Sequence, residues 1–466
     1  MNYLNTKLIK VDEINDLDSK TIEKIYVENI NPGQVHYLKL LGFNKVLMKR
    51  GKGVYYYDQN DEKILDFSGG VGSIGLGHNH PRINNVRKKF QDDERHEIGM
   101  SFYSQYAAAL SKNLANICPA DLDVVILANC GSEAIEQAIK MVEKYQGPLR
   151  SKLVYAINAF HGRTKGALSI TDSKILRNTF KLHEDNIKVP FGEYEAIETA
   201  LKDNPDIGGI FLESIQGGAG VIVPPKGYLK KVRELCDQYG VLLILDEIQC
   251  GFGRTGQMFA FEYDEVVPDI ITISKSFGGT KASVAATIVR TKVYKKAYKD
   301  KKDFVAHLPS TFGGMGGACV TSIEAINILY EEDLISKARD NGKYFIEELR
   351  ILKERYPNII KDVRGRGLMI GMEYHDISNT LIPPLNILIS SLDDRIKGSL
   401  SALLGGILLN KYNILISFTE FNRNVHRIYP PYISSKEDYD YFISSMDELL
   451  SNGIKGIISN FLKLKL

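Results

Sequence analysis

Short apolar runs punctuate the middle of the chain, with enough residues between them to form a helix each time. Residues 124–128, 153–157, 210–212, 241–245 and 270–274 are too short and too apolar for surface strands. Runs of that kind belong to parallel strands buried on both faces. Between the third and fourth, Leu229, Val232, Leu235, Cys236 and Tyr239 fall on one helical face, as a crossover between parallel strands requires. Upstream, residues 54–57 and 64–67 predict two strands around a polar turn. After Glu331 the pattern turns to long helical stretches with strands at 367–374 and 414–418. The expectation is an α/β protein with three zones: 1–100, a central parallel sheet over 101–330, and a smaller α+β region over 331–466.

Composition narrows the function classes. The 466 residues carry 59 Lys and Arg against 57 Asp and Glu, a net charge of +2, so the basic excess expected of a nucleic-acid binder is missing. The start of the chain is too charged for a secretory signal. Its most apolar long stretch, residues 400–409, stops at Asn410 and Lys411, short of the roughly 20 residues of a membrane helix, and is expected to be a core helix. Cys118, Cys130, Cys236, Cys250 and Cys319 are scattered and odd in number, which suggests neither a disulfide framework nor a zinc site. A cytoplasmic protein with no metal, nucleic acid or membrane partner is expected.

The candidate chemistry stands at the carboxyl ends of the predicted strands, where open α/β sheets bind ligands. Glu213, Asp246 and Lys275 directly follow their apolar runs. An acid and a lysine at such positions fit a structural ion pair as well as a reactive site. A third strand runs into Asn129-Cys130-Gly131-Ser132 and then a helix with Ala134, Ile135, Ala138, Ile139 and Val142 on one face. That start is a phosphate seat, through free N–H groups and a Ser hydroxyl, or a plain turn with a capping serine. Together, seat, acid and lysine point to pyridoxal phosphate, which needs a Schiff-base lysine and a carboxylate at its ring nitrogen. The acid would keep that nitrogen protonated, and the lysine would bond the cofactor and later carry a proton.

At this point the chain resembles the class III pyridoxal-phosphate aminotransferases (the ornithine, acetylornithine, 4-aminobutyrate and putrescine group). The resemblance runs through LDFSGGVGSIGLGHNHP from Leu65, NCGSEAIEQAIK from Asn129, AFHGRTKGALSIT from Ala159 and ESIQGGAGVIVPPKGYL from Glu213. It continues through LLILDEIQCGFGRTGQMFAFE from Leu242, VPDIITISKSFGG from Val267, STFGG from Ser310, VRGRGLMIGME from Val363 and RIYPP from Arg427. It implies the type I aminotransferase fold: a large, mainly parallel-sheet domain (101–330) and a small domain built from both chain ends (1–100 and 331–466). It also implies a homodimer with shared active sites. Lys275 would be the Schiff-base lysine and Asp246 the ring-nitrogen partner. Gln249 would contact the ring hydroxyl, Phe160 would stack on the ring, and His161 and Glu213 would line the same cofactor site. Gly131 and Ser132 would hold the phosphate, reached by Thr311 of the neighbouring subunit. Arg427 would grip a substrate carboxylate, with Arg163 and Tyr103 as further pocket residues.

The implied activity is transfer of an amino group from an amino acid or ω-amino donor to a 2-keto acid such as 2-oxoglutarate or pyruvate. Racemisation or epimerisation of an amino acid uses the same cofactor residues and stays open. A nicotinamide enzyme is suggested only by Gly70-x-Gly72-x-x-Gly75 and Gly251-x-Gly253-x-x-Gly256, and both lack the strand-to-helix context such a fingerprint needs. Gly218 departs from the family pattern, in which Glu commonly stands there and pairs with the carboxylate-binding arginine. The expectation is therefore that Arg427 stays open to substrate carboxylates, which disfavours pure diamines, unless an acid from elsewhere in the fold takes that place.

Overall fold

The structure is a computed structural model that describes residues 8–99, 102–298, 310–377 and 398–465. Three antiparallel strands, β1 (Met48–Lys52), β2 (Tyr55–Asp58) and β3 (Lys63–Asp66), form the hairpin region near its start. The central sheet follows: β4 (Leu122–Ala128), β5 (Lys152–Ala156), β6 (Ile187–Val189), β7 (Ile207–Glu213), β8 (Leu242–Asp246), β9 (Ile270–Ile273) and β10 (Ala285–Arg290). Their order is β4-β10-β9-β8-β7-β5-β6. The chain therefore has the α/β architecture expected of it, with a large, mostly parallel sheet.

The exception to parallel pairing is β10, which runs antiparallel to both β4 and β9. Too few residues separate β9 from β10 for a crossover helix, so the chain turns straight back. The turn contains Lys275. The helix Tyr228–Tyr239 links the parallel neighbours β7 and β8 and buries Leu229, Val232, Leu235 and Cys236, which is the predicted crossover. The helix Gly131–Gln146 follows β4 and buries Ala134, Ile135, Ala138, Ile139, Met141 and Val142. Pairing β7 with β8 sets Glu213 opposite Asp246 at the strand ends.

Strands β11 (Ile360–Arg366) and β12 (Met369–Tyr374) begin the last region. The single strand expected at 414–418 is two: β13 (Ile414–Leu415) pairs in parallel with β3, and β14 (Ser417–Phe418) pairs with β15 (Val425–Ile428) in the sheet β11-β12-β15-β14. One segment thus joins residues from both ends of the chain. The helix Leu400–Tyr412 is buried on nearly every side, which explains why its apolar residues show no helical stripe. No helix among the described residues is long and apolar enough to cross a membrane. The glycines at 251–256 lie in consecutive turns leading to a short helical segment Ala260–Asp264, not between a strand and a long helix.

Candidate active site

A cavity of ≈ 380 Å³ opens at the carboxyl ends of β7, β8 and β9 and reaches the start of the helix Gly131–Gln146. Its walls include Gly131, Ser132, Phe160, His161, Arg163, Glu213, Gly218, Asp246, Gln249, Lys275 and Glu420. Asp246 is the last residue of β8 and is buried. Its Oδ1 accepts hydrogen bonds from the N–H of Ile248 (3.0 Å) and the hydroxyl of Thr272 (3.3 Å), and its Oδ2 lies 2.8 Å from His161 Nδ1. These contacts hold the carboxylate in one orientation at the cavity wall. Lys275 follows β9 with a φ of +52°, a conformation costly for a side chain with a Cβ and typical of functional positions.

Burial pushes the Lys275 amine down to about 8, with the neighbouring Arg427 charge acting in the same sense and Asp246, Glu420 and Glu213 opposing it. Burial pushes the Glu213 carboxyl up to about 7, opposed by His161, and the nearby Asp246 adds to the rise. Glu213 accepts the N–H groups of Phe160 (3.2 Å) and Gly217 (3.1 Å), so it ties together the two loops that carry them. Gln249 accepts the Tyr429 hydroxyl at 2.9 Å and donates to the Val71 carbonyl at 3.4 Å. A Cβ at Gly217 would stand 1.4 Å from its Oε1.

The cavity fits pyridoxal phosphate. Cys130, at the cap of the helix Gly131–Gln146, makes no side-chain hydrogen bond to the first turn, leaving that positive helix end available to an anion. Gly131 packs so closely on Ile248 that a Cβ there would come within 2.8 Å of its Cδ1. His161 Nδ1 is held against Asp246 at 2.8 Å, so the ring supports the carboxylate from the side away from the cavity opening, and its Nε2 is buried without a partner. Asp246 and Lys275 supply the carboxylate and the amine that the ring nitrogen and the aldehyde of such a cofactor require.

Arg427 is not open, and the exception allowed for it applies: an acid from elsewhere in the fold takes the place of the usual Glu. Arg427, on β15, is 2% exposed and does not itself line the cavity. Its Nη1 donates to Glu420 Oε2 (2.9 Å) and Oε1 (3.2 Å), its Nη2 to Oε1 (3.2 Å), and its Nε to Ser417 (3.3 Å). The acid is Glu420, and it reaches the place that Gly218 leaves empty: a Cβ at Gly218 would stand 3.2 Å from Glu420 Oε2 and 3.1 Å from Phe421 Cε2. Glu420 was not among the residues singled out from the sequence. It is the sole acid between residues 414 and 427, and that signal could have found it.

The other expected residues are placed as follows. Arg163 is an exposed wall residue whose N–H donates to Ser132 Oγ at 3.3 Å. Tyr103 stands wholly in solvent, away from this chain's cavity, and Thr311 is also exposed and does not line it. Its neighbour Ser310 accepts a hydrogen bond from Asn129 Nδ2 at 2.5 Å. No group of three or more His, Cys, Asp or Glu among the described residues forms a metal site.

Residues 42–450 match the family Aminotransferase class-III, and the chain belongs to it. Enzymes of this family depend on pyridoxal phosphate. The aminotransferase PigE of Serratia sp. (strain ATCC 39006) is 33% identical over 453 residues, which cover 90% of this chain and 52% of PigE. The chain thus spans about half the length of that curated relative. Ornithine aminotransferase from Toxoplasma gondii, in a structure that shows partial occupancy of PLP at its active site, is 29% identical with a TM-score of 0.76, covering 98% of this chain and 96% of its own. Acetylornithine aminotransferase from Elizabethkingia anophelis is 25% identical with a TM-score of 0.74, covering 96% and 99%.

Proposed function

We propose that this protein transfers an amino group from an ω-amino compound or amino acid, of the ornithine, 4-aminobutyrate or diamine kind, to a 2-keto acid such as 2-oxoglutarate or pyruvate. The observation that carries the reading is the convergence of Lys275, Asp246 and the open start of the helix Gly131–Gln146 on one cavity. When bound, pyridoxal phosphate supplies an aldehyde for amine condensation and a ring that draws electrons from the substrate carbon. Gly131 and Ser132 hold the phosphate by their N–H groups and hydroxyl. Asp246, oriented by His161, would set its carboxylate against the ring nitrogen. Phe160 and Gln249 position the ring. Lys275, whose amine burial brings down to about 8, would take and return the proton at the reacting carbon. Glu213 braces the walls, and Arg427 binds a substrate carboxylate.

The same reading places two copies together. Thr311, away from its own cavity, reaches the phosphate of the neighbouring subunit, and Tyr103 lies at the same junction. In support, Phe102 is 83% exposed and Phe312 55%, on segments tied together by the Gly316 N–H to Glu97 carbonyl bond of 2.9 Å. Residues 1–100 and 331–466 then form the small domain and 101–330 the large one. We place the protein in the cytoplasm, where its five free cysteines persist.

The test is a panel of amino donors and keto acids with purified enzyme, reading keto acid consumed and amino acid formed. Amino transfer to at least one keto acid is expected. Stereochemical inversion of an amino acid with no net transfer would replace this reading with racemisation.

A further inference from the structure

The two glycine runs at 69–75 and 251–256 meet around a pair of tyrosines. Tyr429 and Tyr432 come just after β15 and are buried. Their backbone lies along the segment that follows β3: the Tyr429 N–H donates to the Phe67 carbonyl at 2.7 Å, and the Tyr432 N–H donates to the Gly75 carbonyl at 2.8 Å. That approach needs glycine. A Cβ at Gly69 would stand 2.2 Å from the Tyr429 carbonyl oxygen, and one at Gly75 would stand 2.7 Å from Tyr432 Cε2. The second run supplies Arg254, wholly buried, and the Phe252 carbonyl, which accepts the Tyr432 hydroxyl at 2.8 Å.

Arg254 is held without an acid. Its Nη1 donates to the carbonyls of Pro430 (2.6 Å) and Leu368 (3.3 Å), while Nε and Nη2 have no hydrogen-bond partner among the described residues. Aromatic rings meet the charge instead: the guanidinium lies 4.5 Å from the centre of the Tyr432 ring and 5.6 Å from that of Tyr429. A cation gripped by two carbonyls and set against two rings keeps both rings in place.

Of the two, Tyr429 reaches the cavity wall. Its hydroxyl donates to Gln249 Oε1 at 2.9 Å. Burial holds that hydroxyl well above the usual phenol range although Arg427 and Arg254 pull the other way, so it keeps its proton. Gln249 Nε2 donates to the Val71 carbonyl at a long 3.4 Å. A carbonyl only accepts, so the two contacts together leave one orientation for the amide, with its oxygen on Tyr429 and its nitrogen toward Val71. Gln249 and Val71 both line the cavity. With Oε1 engaged, what the amide has left to offer a ligand is the second Nε2 hydrogen, which has no partner among the described residues.

We propose that Tyr429 is a positioning residue of the cofactor site: its hydroxyl holds the Gln249 amide so that the donor end is offered to the ring oxygen of the bound cofactor, and Arg254 holds the tyrosine. This rests on the pyridoxal-phosphate reading above, in which Gln249 positions the ring. Without the Tyr429 hydroxyl the amide is free to turn, and its carbonyl end meets an oxygen that carries negative charge. A donor on that oxygen competes with the proton the oxygen shares with the Lys275 nitrogen, so losing the donor raises the pH at which this proton leaves.

The test is a pH titration of holoenzyme that follows the visible absorption of the bound cofactor, which changes as that proton leaves. Tyr429→Phe keeps the ring against Arg254 and removes only the hydroxyl. It is expected to raise the midpoint by about one pH unit, the size of one hydrogen bond. Gln249→Leu is expected to raise it at least as far, and adding Tyr429→Phe to Gln249→Leu is expected to move it no further. Tyr429→Leu also lacks the hydroxyl and carries the same comparison if Tyr429→Phe does not fold. If Gln249→Leu raises the midpoint while loss of the Tyr429 hydroxyl does not, Tyr429 only packs and the proposal falls, with Gln249 still at the ring. A Tyr429→Phe shift that persists in full beside Gln249→Leu also overturns it, because the hydroxyl then acts without Gln249. An unchanged midpoint in Gln249→Leu takes Gln249 away from the ring oxygen, and the proposal with it. Wild-type protein that binds no coloured cofactor overturns the reading beneath the proposal.

Discussion

His161 Nδ1 lies 2.8 Å from Asp246 Oδ2, and both side chains are almost fully buried at the cavity wall. The carboxylate is thereby oriented before any ligand arrives. Asp246→Ala removes a buried charge partner worth about 3–5 kcal/mol, so turnover is expected to fall by about two to four powers of ten. His161→Ala leaves the carboxylate present but unheld and is expected to cost about tenfold. Steady-state kinetics with retained circular dichroism checks both. An Asp246→Ala enzyme with near-normal turnover refutes its role at the ring.

Lys275 makes a prediction that needs no substrate. Its amine titrates at about 8 in the folded protein against 10.5 for the free side chain. Between those values the unfolded chain binds more protons, so the stability of cofactor-free protein rises with pH through that window. Below pH 8 the burial penalty is fully present. Lys275→Met is therefore expected to stabilise the cofactor-free protein at pH 7 by on the order of 3 kcal/mol, an advantage that fades as pH approaches 10.5. Urea unfolding at several pH values measures it, and an advantage independent of pH would show that the amine is not desolvated. The same variant is expected to lose borohydride-fixed cofactor and all turnover.

Thr311 tests the shared site. Heterodimers of a Lys275→Ala chain and a Thr311→Ala chain, isolated through two tags, are expected to hold one site with both defects and one with neither. They should regain activity that both parent homodimers lack or carry weakly. No recovery on mixing argues that each subunit completes its own phosphate seat.

Gly217 tests the wall packing, since its missing Cβ is what lets Gln249 lie in place. Gly217→Ala is expected to cost about 1–3 kcal/mol through overpacking and to weaken cofactor binding. Shortening the obstructing side chain in Gly217→Ala/Gln249→Ala is expected to restore most of the thermal stability but not the cofactor affinity. Thermal unfolding and cofactor titration separate the two effects.

Much of the architecture is local enough to read from the chain. The buried strands β4, β5, β7, β8 and β9 and the crossover helix Tyr228–Tyr239 carry their period in their own residues, because burial on both faces demands uniformly apolar runs. Asp246 and Lys275 were legible for the same reason: each directly follows such a run, and strand ends in a parallel sheet point to one side. β10 was not legible, since its antiparallel place between β4 and β9 is decided by its partners. Nor was the split at 414–418, where neighbouring residues pair with β3 and with β15 in different sheets.

The class of chemistry is written in the order of residues, because a lysine, a carboxylate and a glycine-serine helix start follow one another along the chain. The partner of Arg427 is fixed by the fold. The absence of an acid at Gly218 is visible in the chain, but the acid that replaces it comes from residue 420, roughly two hundred positions away by count along the chain. It meets the arginine because β14 and β15 pair antiparallel and turn the loop between them over Gly218. The pair itself spans only seven residues, but the approach of its loop to Gly218 joins residues far apart in sequence, and such contacts are set by the packing of whole elements.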